Sequence, residues 1–139
     1  MFAEALVCLA LNVYHEARDQ PFIGQVAVAQ VVMNRVRDDR YPDDVCEVVY
    51  QGPTYSWKPD FPVRHRCQFS WYCDGKSDGT PDSQAWQQAL LIAKGVYYED
   101  LDDFVEGSTH YHATYVLPEW AESKVPVVQI GQHMFYRWD

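Results

Sequence analysis

Residues 11–18 read LNVYHEAR and put a single carboxylate, Glu16, at the end of an otherwise apolar stretch. From Phe2 onward almost every residue is apolar and compatible with a helix, and neither proline nor glycine occurs before Pro21. A helix that is apolar on all sides is a buried helix. We therefore predict that this segment forms a helix at the centre of the core.

The position of Glu16 on this helix is unusual for a charged residue. Steps of three or four residues back from it meet Val13, Asn12 and Leu9, so the carboxylate continues a mainly hydrophobic stripe. Apolar surroundings disfavour the charged form of a carboxylic acid, so we expect a raised pKa, as a general acid requires. The same spacing also allows Glu16 to lie beyond the last buried turn and pair with Arg18 in solvent.

Composition excludes several classes of protein. The chain has 139 residues, 47% of them hydrophobic and 22% charged, which excludes disorder and predicts one domain over residues 1–139. No run of eighteen apolar residues is present, so we expect no membrane insertion. The net charge of −9 argues against nucleic acid as a partner, because phosphate binding relies on clustered lysine and arginine.

The four cysteines do not match a known spacing. Cys67 and Cys73 have five residues between them, which fits neither a redox CxxC motif nor a zinc site. Cys8 lies inside the apolar helix and is expected to be a buried free thiol. A disulfide that involves Cys46 is open if the protein matures in an oxidising compartment, and its partner is undetermined.

The order of predicted elements indicates an α+β fold. Apolar spacing, turn signals and alternation predict a second helix at Gly24–Arg37, a short helix from Pro42 to Tyr50, a strand at Cys67–Cys73, a helix from Thr80 to Tyr98, and a hairpin at Val125–Trp138 that turns near Gly131. Gln30 and Asn34 mark a narrow polar stripe on the second helix, which we interpret as structural. Helices first and short strands later, without a βαβ rhythm, are typical of α+β.

Several motifs occur in an order that resembles the SleB/CwlJ family of cell wall hydrolases, the spore cortex-lytic enzymes and related phage lysins. They are Tyr14–Arg18, Gly24–Ala29, Asn34–Val36, Tyr41-Pro42, Val48–Gln51, Gln68–Ser70, Asp74-Gly75 and Ile130–Tyr136. The resemblance implies a compact lysozyme-like domain, mainly helical in its N-terminal two-thirds, with short antiparallel strands towards the C-terminus. Family members often continue with Gly-Glu where this chain has Asp19-Gln20, so we assign no role to these two residues.

The resemblance also implies an activity on the glycan strand of peptidoglycan. Glu16 would act as the catalytic acid of a lytic transglycosylase, without a cofactor, at the bond between N-acetylmuramic acid and N-acetylglucosamine. Ordinary glycosidases need two carboxylates that flank the bond. Only Glu16 combines a carboxylate with an apolar setting, which fits a single-acid mechanism, although hydrolysis of the same bond by a muramidase stays open.

Further residues are expected to bind the substrate. Gln68 and Ser70 alternate with Phe69 and Trp71, so we predict that Gln68 and Ser70 face the cleft, the alternative being that they satisfy backbone groups. Tyr111 and His112 are expected to position sugar or tune Glu16. Three tryptophans are candidates for subsite walls, with core packing as the alternative: Trp57, Trp71 and Trp120.

Two other classes of function remain. A zinc amidase or peptidase would use four of the five histidines, His15, His110, His112 and His133. However, no HExxH motif is present and His15 and Glu16 lie on different helix faces, so we expect no metal. A wall-binding module without catalysis is the other class. We expect a monomer with peptidoglycan as its partner in the cell wall or periplasm. Because no signal peptide is recognised, it would arrive as a phage lysin released through a holin or as an excised domain of an exported protein.

Overall fold

The apolar N-terminal stretch forms the central helix of the fold. The computed structural model describes residues 2–139, and in them α1 (Phe2–Ala17) packs against three further helices, α2 (Phe22–Val36), α3 (Val45–Val49) and α4 (Ser83–Tyr97). Leu9, Val13 and Tyr14 of α1 are buried completely or nearly so. The predicted buried helix is confirmed. No helix within residues 2–139 has both the length and the apolar character to cross a membrane.

The remaining elements are short strands and turns. Between α3 and α4 the chain forms a hairpin of β1 (Thr54–Tyr55) and β2 (Lys58–Pro62). After α4 it forms β3 (His110–Ala113), β4 (Val125–Ile130) and β5 (His133–Arg137), an antiparallel sheet with β5 in the middle. Helices that precede a small antiparallel sheet confirm the predicted α+β class, and the predicted C-terminal hairpin is confirmed with Gly131 at its turn, where φ is +57°.

The second helix is buried almost all round because it lies between the other helices and the sheet. Val26 and Val32 join the core between the helices, whereas Val28 and Val31 join a second core with Phe135 of the sheet. Every residue from 24 to 33 is therefore buried. This double burial explains why the apolar residues of α2 occupy more than one helix face.

The polar stripe of α2 is structural, as predicted. Gln30 donates from Nε2 to the carbonyl oxygen of Asp102 at 2.6 Å and accepts from the backbone N–H of Phe104 at 3.0 Å. Asn34 donates to the carbonyl oxygen of Ser108 at 2.9 Å. Both side chains thus fasten the loop before β3 onto α2, which sets where β3 begins.

The structure corrects the expectation for Cys8. Cys8 is not a free thiol: it forms a disulfide with Cys46 that links α1 to α3. A second disulfide joins Cys67 to Cys73. The first pair is 38 residues apart in sequence and meets only because α3 packs on α1, with a Cα–Cα distance of 5.2 Å, so spacing alone gave no sign of it.

The strand predicted at Cys67–Cys73 is also wrong. Ser70–Cys73 forms a 3₁₀ turn instead. The two cysteine Cα atoms are 6.2 Å apart, whereas six extended residues would span about 20 Å, so the disulfide is incompatible with a strand. The alternation of Gln68 and Ser70 with Phe69 and Trp71, which rested on a strand, loses its basis.

We expect Gln30→Met to lower the free energy of unfolding by about 1–3 kcal/mol, since it removes two part-buried hydrogen bonds to backbone groups of the 102–104 loop. Gln88→Met, the same change at an exposed site on α4, is the matched control and should stay within about 0.5 kcal/mol of the wild type. Urea denaturation of both variants measures the difference. Equal loss in the two variants would contradict the role given to Gln30.

Candidate active site

Glu16 lies in the last turn of α1 and contacts the sheet through one hydrogen bond. The Tyr111 hydroxyl on β3 donates to Glu16 Oε1 at 2.5 Å. The other carboxyl oxygen, Oε2, has no hydrogen bond within the described part of the chain, and the side chain is partly exposed. One oxygen is therefore fixed by the protein while the other is available to a ligand.

Strand alternation places Tyr111 on the face of the sheet that carries the second core. Its ring packs against Phe135 and His133, with ring centroids 5.4 and 5.0 Å away. Burial raises the pKa of Tyr111 well above its ordinary value, and the negative charge of Glu16 raises it further. The phenol therefore stays protonated and acts as a hydrogen-bond donor to the carboxyl group.

The electrostatic setting of Glu16 matches the sequence-based expectation. Burial raises the pKa of Glu16, and the hydrogen bond from Tyr111 and the charge of Arg35 partly offset that rise. The alternative pairing with Arg18 is not seen: Arg18 donates to the carbonyl oxygen of Tyr14 and lies over the Tyr14 ring. The expected raised pKa is confirmed in direction.

Arg35 is a buried cation behind this pair that sequence reasoning did not single out. Its Nε donates to the carbonyl oxygen of Thr109 at 2.8 Å, and its guanidinium lies 5.0 Å from the ring centres of both Tyr41 and Phe69. It forms no ion pair with any carboxylate in residues 2–139. Its charge consequently acts at longer range on Glu16 and Tyr111.

A cleft of about 250 Å³ opens beside Glu16. The residues that line it come from the end of α1, the turn into α2, the segment after β3 and the tip of the β4–β5 hairpin: His15, Glu16, Arg18, Asp19, Gln20, Ala113, Tyr115, Gln132 and His133. Asp19 is the second carboxylate among them. Tyr115 is 81% exposed and presents an aromatic ring to a ligand.

The two glutamines hold the walls of this cleft together. Gln20 Oε1 accepts from the backbone N–H of Gln132 at 2.9 Å, and Gln20 Nε2 donates to Gln132 Oε1 at 3.3 Å. A Cβ at Gly131 would lie 2.5 Å from Gln20 Oε1, so the glycine is needed both for this close approach and for its positive φ. The pair connects the α1–α2 turn to the hairpin tip.

The candidate substrate-binding residues divide into three groups. Tyr111 reaches Glu16, whereas His112 points to the opposite sheet face and meets the hydroxyl of Tyr136 at 2.8 Å. Gln68 and Ser70 are exposed, lie outside the lining of the Glu16 cleft, and have side chains without a hydrogen bond in residues 2–139. Their contact with substrate stays a prediction.

Trp71 does not have the position expected of a sugar-binding wall. It is only 6% exposed, and its indole N–H donates to Oδ1 of the buried Asn12 at 2.8 Å. His15 stacks on its ring with centroids 4.5 Å apart. Trp71 is therefore a core residue whose ring packs against His15. This agrees with core packing, the alternative given above to a role as a subsite wall.

Three of the candidate histidines contact different partners. Nε2 of His15 contacts the carbonyl oxygen of Asp78, His110 contacts Tyr41 and Thr109, and His112 contacts Tyr136. In the described residues no three side chains of the metal-binding types come together.

Sequence reasoning missed most of the cleft lining. Tyr115 gave no signal, because a lone aromatic after a strand is common, and Asp19 and Gln20 were noted only as a departure from a motif. The predicted turn at Gly131 placed Gln132 at a hairpin tip but gave no partner for it. These residues meet through the packing of the hairpin against the α1–α2 turn.

The chain is similar in sequence to known cell wall hydrolases. A family model described as Cell Wall Hydrolase matches residues 19–136, which begins just after Glu16. A spore cortex-lytic enzyme from Halalkalibacterium halodurans is 31% identical over 128 residues, covering 91% of this chain and 33% of that protein. The corresponding enzyme of Bacillus subtilis is 27% identical over 127 residues, or 35% of its length. The chain thus spans about a third of the length of these two curated relatives.

Two solved structures have the same fold. The catalytic domain of the germination-specific lytic transglycosylase SleB from Bacillus anthracis superposes with a TM-score of 0.68 at 25% identity, covering 96% of this chain and 93% of that one. The catalytic domain of Bacillus cereus SleB gives 0.65 at 26% identity, with 96% and 91% covered. The match extends over almost the whole of this chain, and the lysozyme-like catalytic-domain fold expected from sequence is confirmed.

We expect Tyr111→Phe to raise the pKa of Glu16 further, because the phenol's hydrogen bond stabilises the charged carboxylate. A ¹³C NMR titration of the Glu16 carboxyl measures the shift. Tyr136→Phe removes a hydroxyl of the same kind from the opposite sheet face, where it meets His112, and should leave the Glu16 titration unchanged. A Glu16 pKa that is unchanged or lowered in Tyr111→Phe would contradict this arrangement.

Proposed function

The chain belongs to the cell wall hydrolase family, and on that premise we propose that it cleaves the glycan strand of peptidoglycan as a lytic transglycosylase. The bond cleaved is the one between N-acetylmuramic acid and N-acetylglucosamine. The observation that carries the proposal is the carboxyl group of Glu16 in an open cleft, where its pKa is raised and its Oε2 has no hydrogen bond within the described residues.

Glu16 serves first as the general acid. Its raised pKa favours a proton on the carboxyl group, and Oε2 is the oxygen that carries it, because Oε1 accepts from Tyr111. The proton passes to the glycosidic oxygen as the bond between that oxygen and C1 of the muramoyl residue breaks. The leaving sugar departs with a new hydroxyl group, and positive charge develops at C1.

Glu16 then serves as the general base. The carboxylate takes the proton of the muramoyl 6-hydroxyl while O6 bonds to C1, which closes a 1,6-anhydro ring and restores the protonated acid. No water is consumed. Tyr111 acts as a positioning residue, because its hydrogen bond holds Oε1 through both steps and favours the carboxylate formed in between.

The cleft lining supplies contacts for the sugars. Tyr115 presents a highly exposed ring at the cleft, suited to packing against a sugar face. Gln20 and Gln132 carry amide groups that can bond hydroxyl or acetamido groups. Burial lowers the pKa of His133, so its imidazole is neutral at neutral pH and adds no positive charge beside Glu16.

Asp19 favours a second candidate function, a muramidase. It lines the same cleft as Glu16, and a glycosidase with a second carboxylate releases a reducing muramic end instead of an anhydro ring. The protein's site of action is the cell wall in both cases. We further propose that the protein acts as a monomer and that it reaches the wall either through a holin or as part of an exported protein.

We expect Glu16→Gln to lower the rate of release of 1,6-anhydro-muropeptides by at least about 10³-fold, since an amide neither donates nor accepts the required proton. Mass spectrometry of the fragments released from purified peptidoglycan measures this. The variant should be no less stable than the wild type at neutral pH, because the charged form of the buried carboxyl is the one that burial penalises.

Asp19→Asn separates the two candidates in the same assay. Under the transglycosylase mechanism this variant still yields anhydro ends. Reducing muramic ends from the wild type, together with their loss in Asp19→Asn, would replace the transglycosylase with the muramidase.

We expect Tyr115→Ala to raise KM about tenfold with a smaller change in kcat, because the ring contacts sugars away from the reacting atoms. Leu117→Ala is the matched control, since Leu117 is 80% exposed in the same segment but does not line the cleft. Steady-state kinetics on soluble glycan fragments compare the two. Equal KM values in both variants would contradict the proposal that Tyr115 contacts the sugars.

A further inference from the structure

The segment 54–76, here called the cationic lobe, differs in charge from the rest of the chain. It holds four of the eleven lysine and arginine residues but only two of the twenty acidic residues, Asp60 and Asp74. Its formal charge is therefore +2, against −9 for the whole chain. A local excess of positive charge on an acidic protein indicates a site for an anionic partner.

The cations of this lobe are not neutralised by carboxylates of residues 2–139, although Lys58 lies over the rings of Trp57 and Phe61. Lys58, Arg64, Arg66 and Lys76 are all exposed, and none forms an ion pair within residues 2–139. Elsewhere Arg37, Arg40 and Arg137 each pair with a nearby carboxylate. The lobe thus keeps its positive charge available to solvent.

A groove of about 380 Å³ crosses the lobe. It combines two cationic residues with aromatic walls and has no acidic residue in its lining: Tyr55, Phe61, Pro62, Arg64, Tyr72, Cys73, Gly75 and Lys76. Such a lining suits a ligand that carries carboxylate groups next to apolar side chains.

The groove is held by local structure. The disulfide Cys67–Cys73 closes the segment, and Arg64 lies across Gly75, where a Cβ would be 2.6 Å from Nη2. Gly75 has a φ of +80°, which disfavours a side chain at this position. The guanidinium of Arg64 lies at the groove, and its only described hydrogen bond is a long one, 3.5 Å, to the carbonyl oxygen of Asp74.

The groove is linked to the Glu16 cleft through packed rings. Tyr72 of the groove meets Trp71, and Trp71 stacks on His15, which lines the cleft. A polymer with two chemically different parts suits a protein with two such sites, one lined by aromatic and cationic residues and the other built around a carboxyl group. Peptidoglycan is such a polymer, since its muramic acid residues carry peptide stems that end in carboxylates.

We propose that the groove of the cationic lobe binds the carboxylate-bearing peptide stems of peptidoglycan while the Glu16 cleft holds the glycan strand. This inference rests on the proposed function for the identity of the polymer. Arg64 and Lys76 pair with stem carboxylates, and Tyr55, Phe61 and Tyr72 cover the aliphatic side chains of the stem. The lobe compensates locally for the repulsion between an acidic enzyme and an anionic wall.

The test measures binding in the Glu16→Gln background, so that the polymer is not consumed. The first probe is peptidoglycan treated with hydrofluoric acid to remove phosphate polymers, and the second is the same material stripped of its stems by an amidase. We expect about tenfold tighter binding to the polymer with stems, by sedimentation, and loss of that difference in the double variant Arg64→Gln/Lys76→Gln.

The matched control is Arg37→Gln/Lys94→Gln, which removes two exposed positive charges from outside the lobe and should keep the preference for stems. Lys76→Gln alone, which leaves the packing of Arg64 on Gly75 intact, should lose part of it. Equal binding to both polymers, or equal loss in the control pair, would overturn the proposal. A preference seen only before hydrofluoric acid treatment would assign the groove to a phosphate polymer and overturn it as well.

Failure of the two proposals can be told apart with a soluble stem peptide. Its binding to the lobe, followed by the NMR shift of the Trp57 indole beside the groove, does not depend on any cleavage. Stem binding without glycan cleavage would contradict the proposed activity but leave the proposed binding of stems by the lobe standing. Cleavage with anhydro products but without stem binding would do the reverse.

Discussion

The hydrogen bond from Tyr111 to Glu16 joins the two halves of the fold at the place where the chemistry is proposed. One partner ends the central helix and the other lies on the first strand of the sheet. Each half is held to the other by α2, which is buried on both sides. The geometry of the acid therefore depends on the packing of the whole domain, and a shift of either half would separate the two oxygens.

The charge state of Glu16 is a balance between burial and two stabilising groups. Desolvation raises its pKa, while Tyr111 and Arg35 hold back the rise. Arg35 is itself buried and lacks a carboxylate partner among the described residues. Its positive charge therefore acts on Glu16 and Tyr111 without direct contact. A carboxyl poised in this way can give up a proton and regain it within one turnover, as an acid that becomes a base must do.

The errors of the sequence-based predictions share one physical cause. Cys8 was expected to be free because its helix is apolar, and Cys67–Cys73 was expected to be a strand because its residues alternate. In both cases a covalent bond to another cysteine decided the outcome. The periodicity of apolar residues indicates which face of a segment is buried. It carries no information on which distant residue that segment will contact.

The sequence by itself determined the buried first helix, the position of Glu16 at its end, the α+β order of elements and the hairpin at Gly131. It could do so because these features depend on local spacing of apolar residues and on turn chemistry. Only the tertiary structure decided that Tyr111 reaches Glu16 while its neighbour His112 does not, that Trp71 is buried, and that Asp19, Tyr115 and Gln132 share one cleft. Those contacts join residues up to about a hundred positions apart, and such pairs are fixed by how helices and sheet pack together.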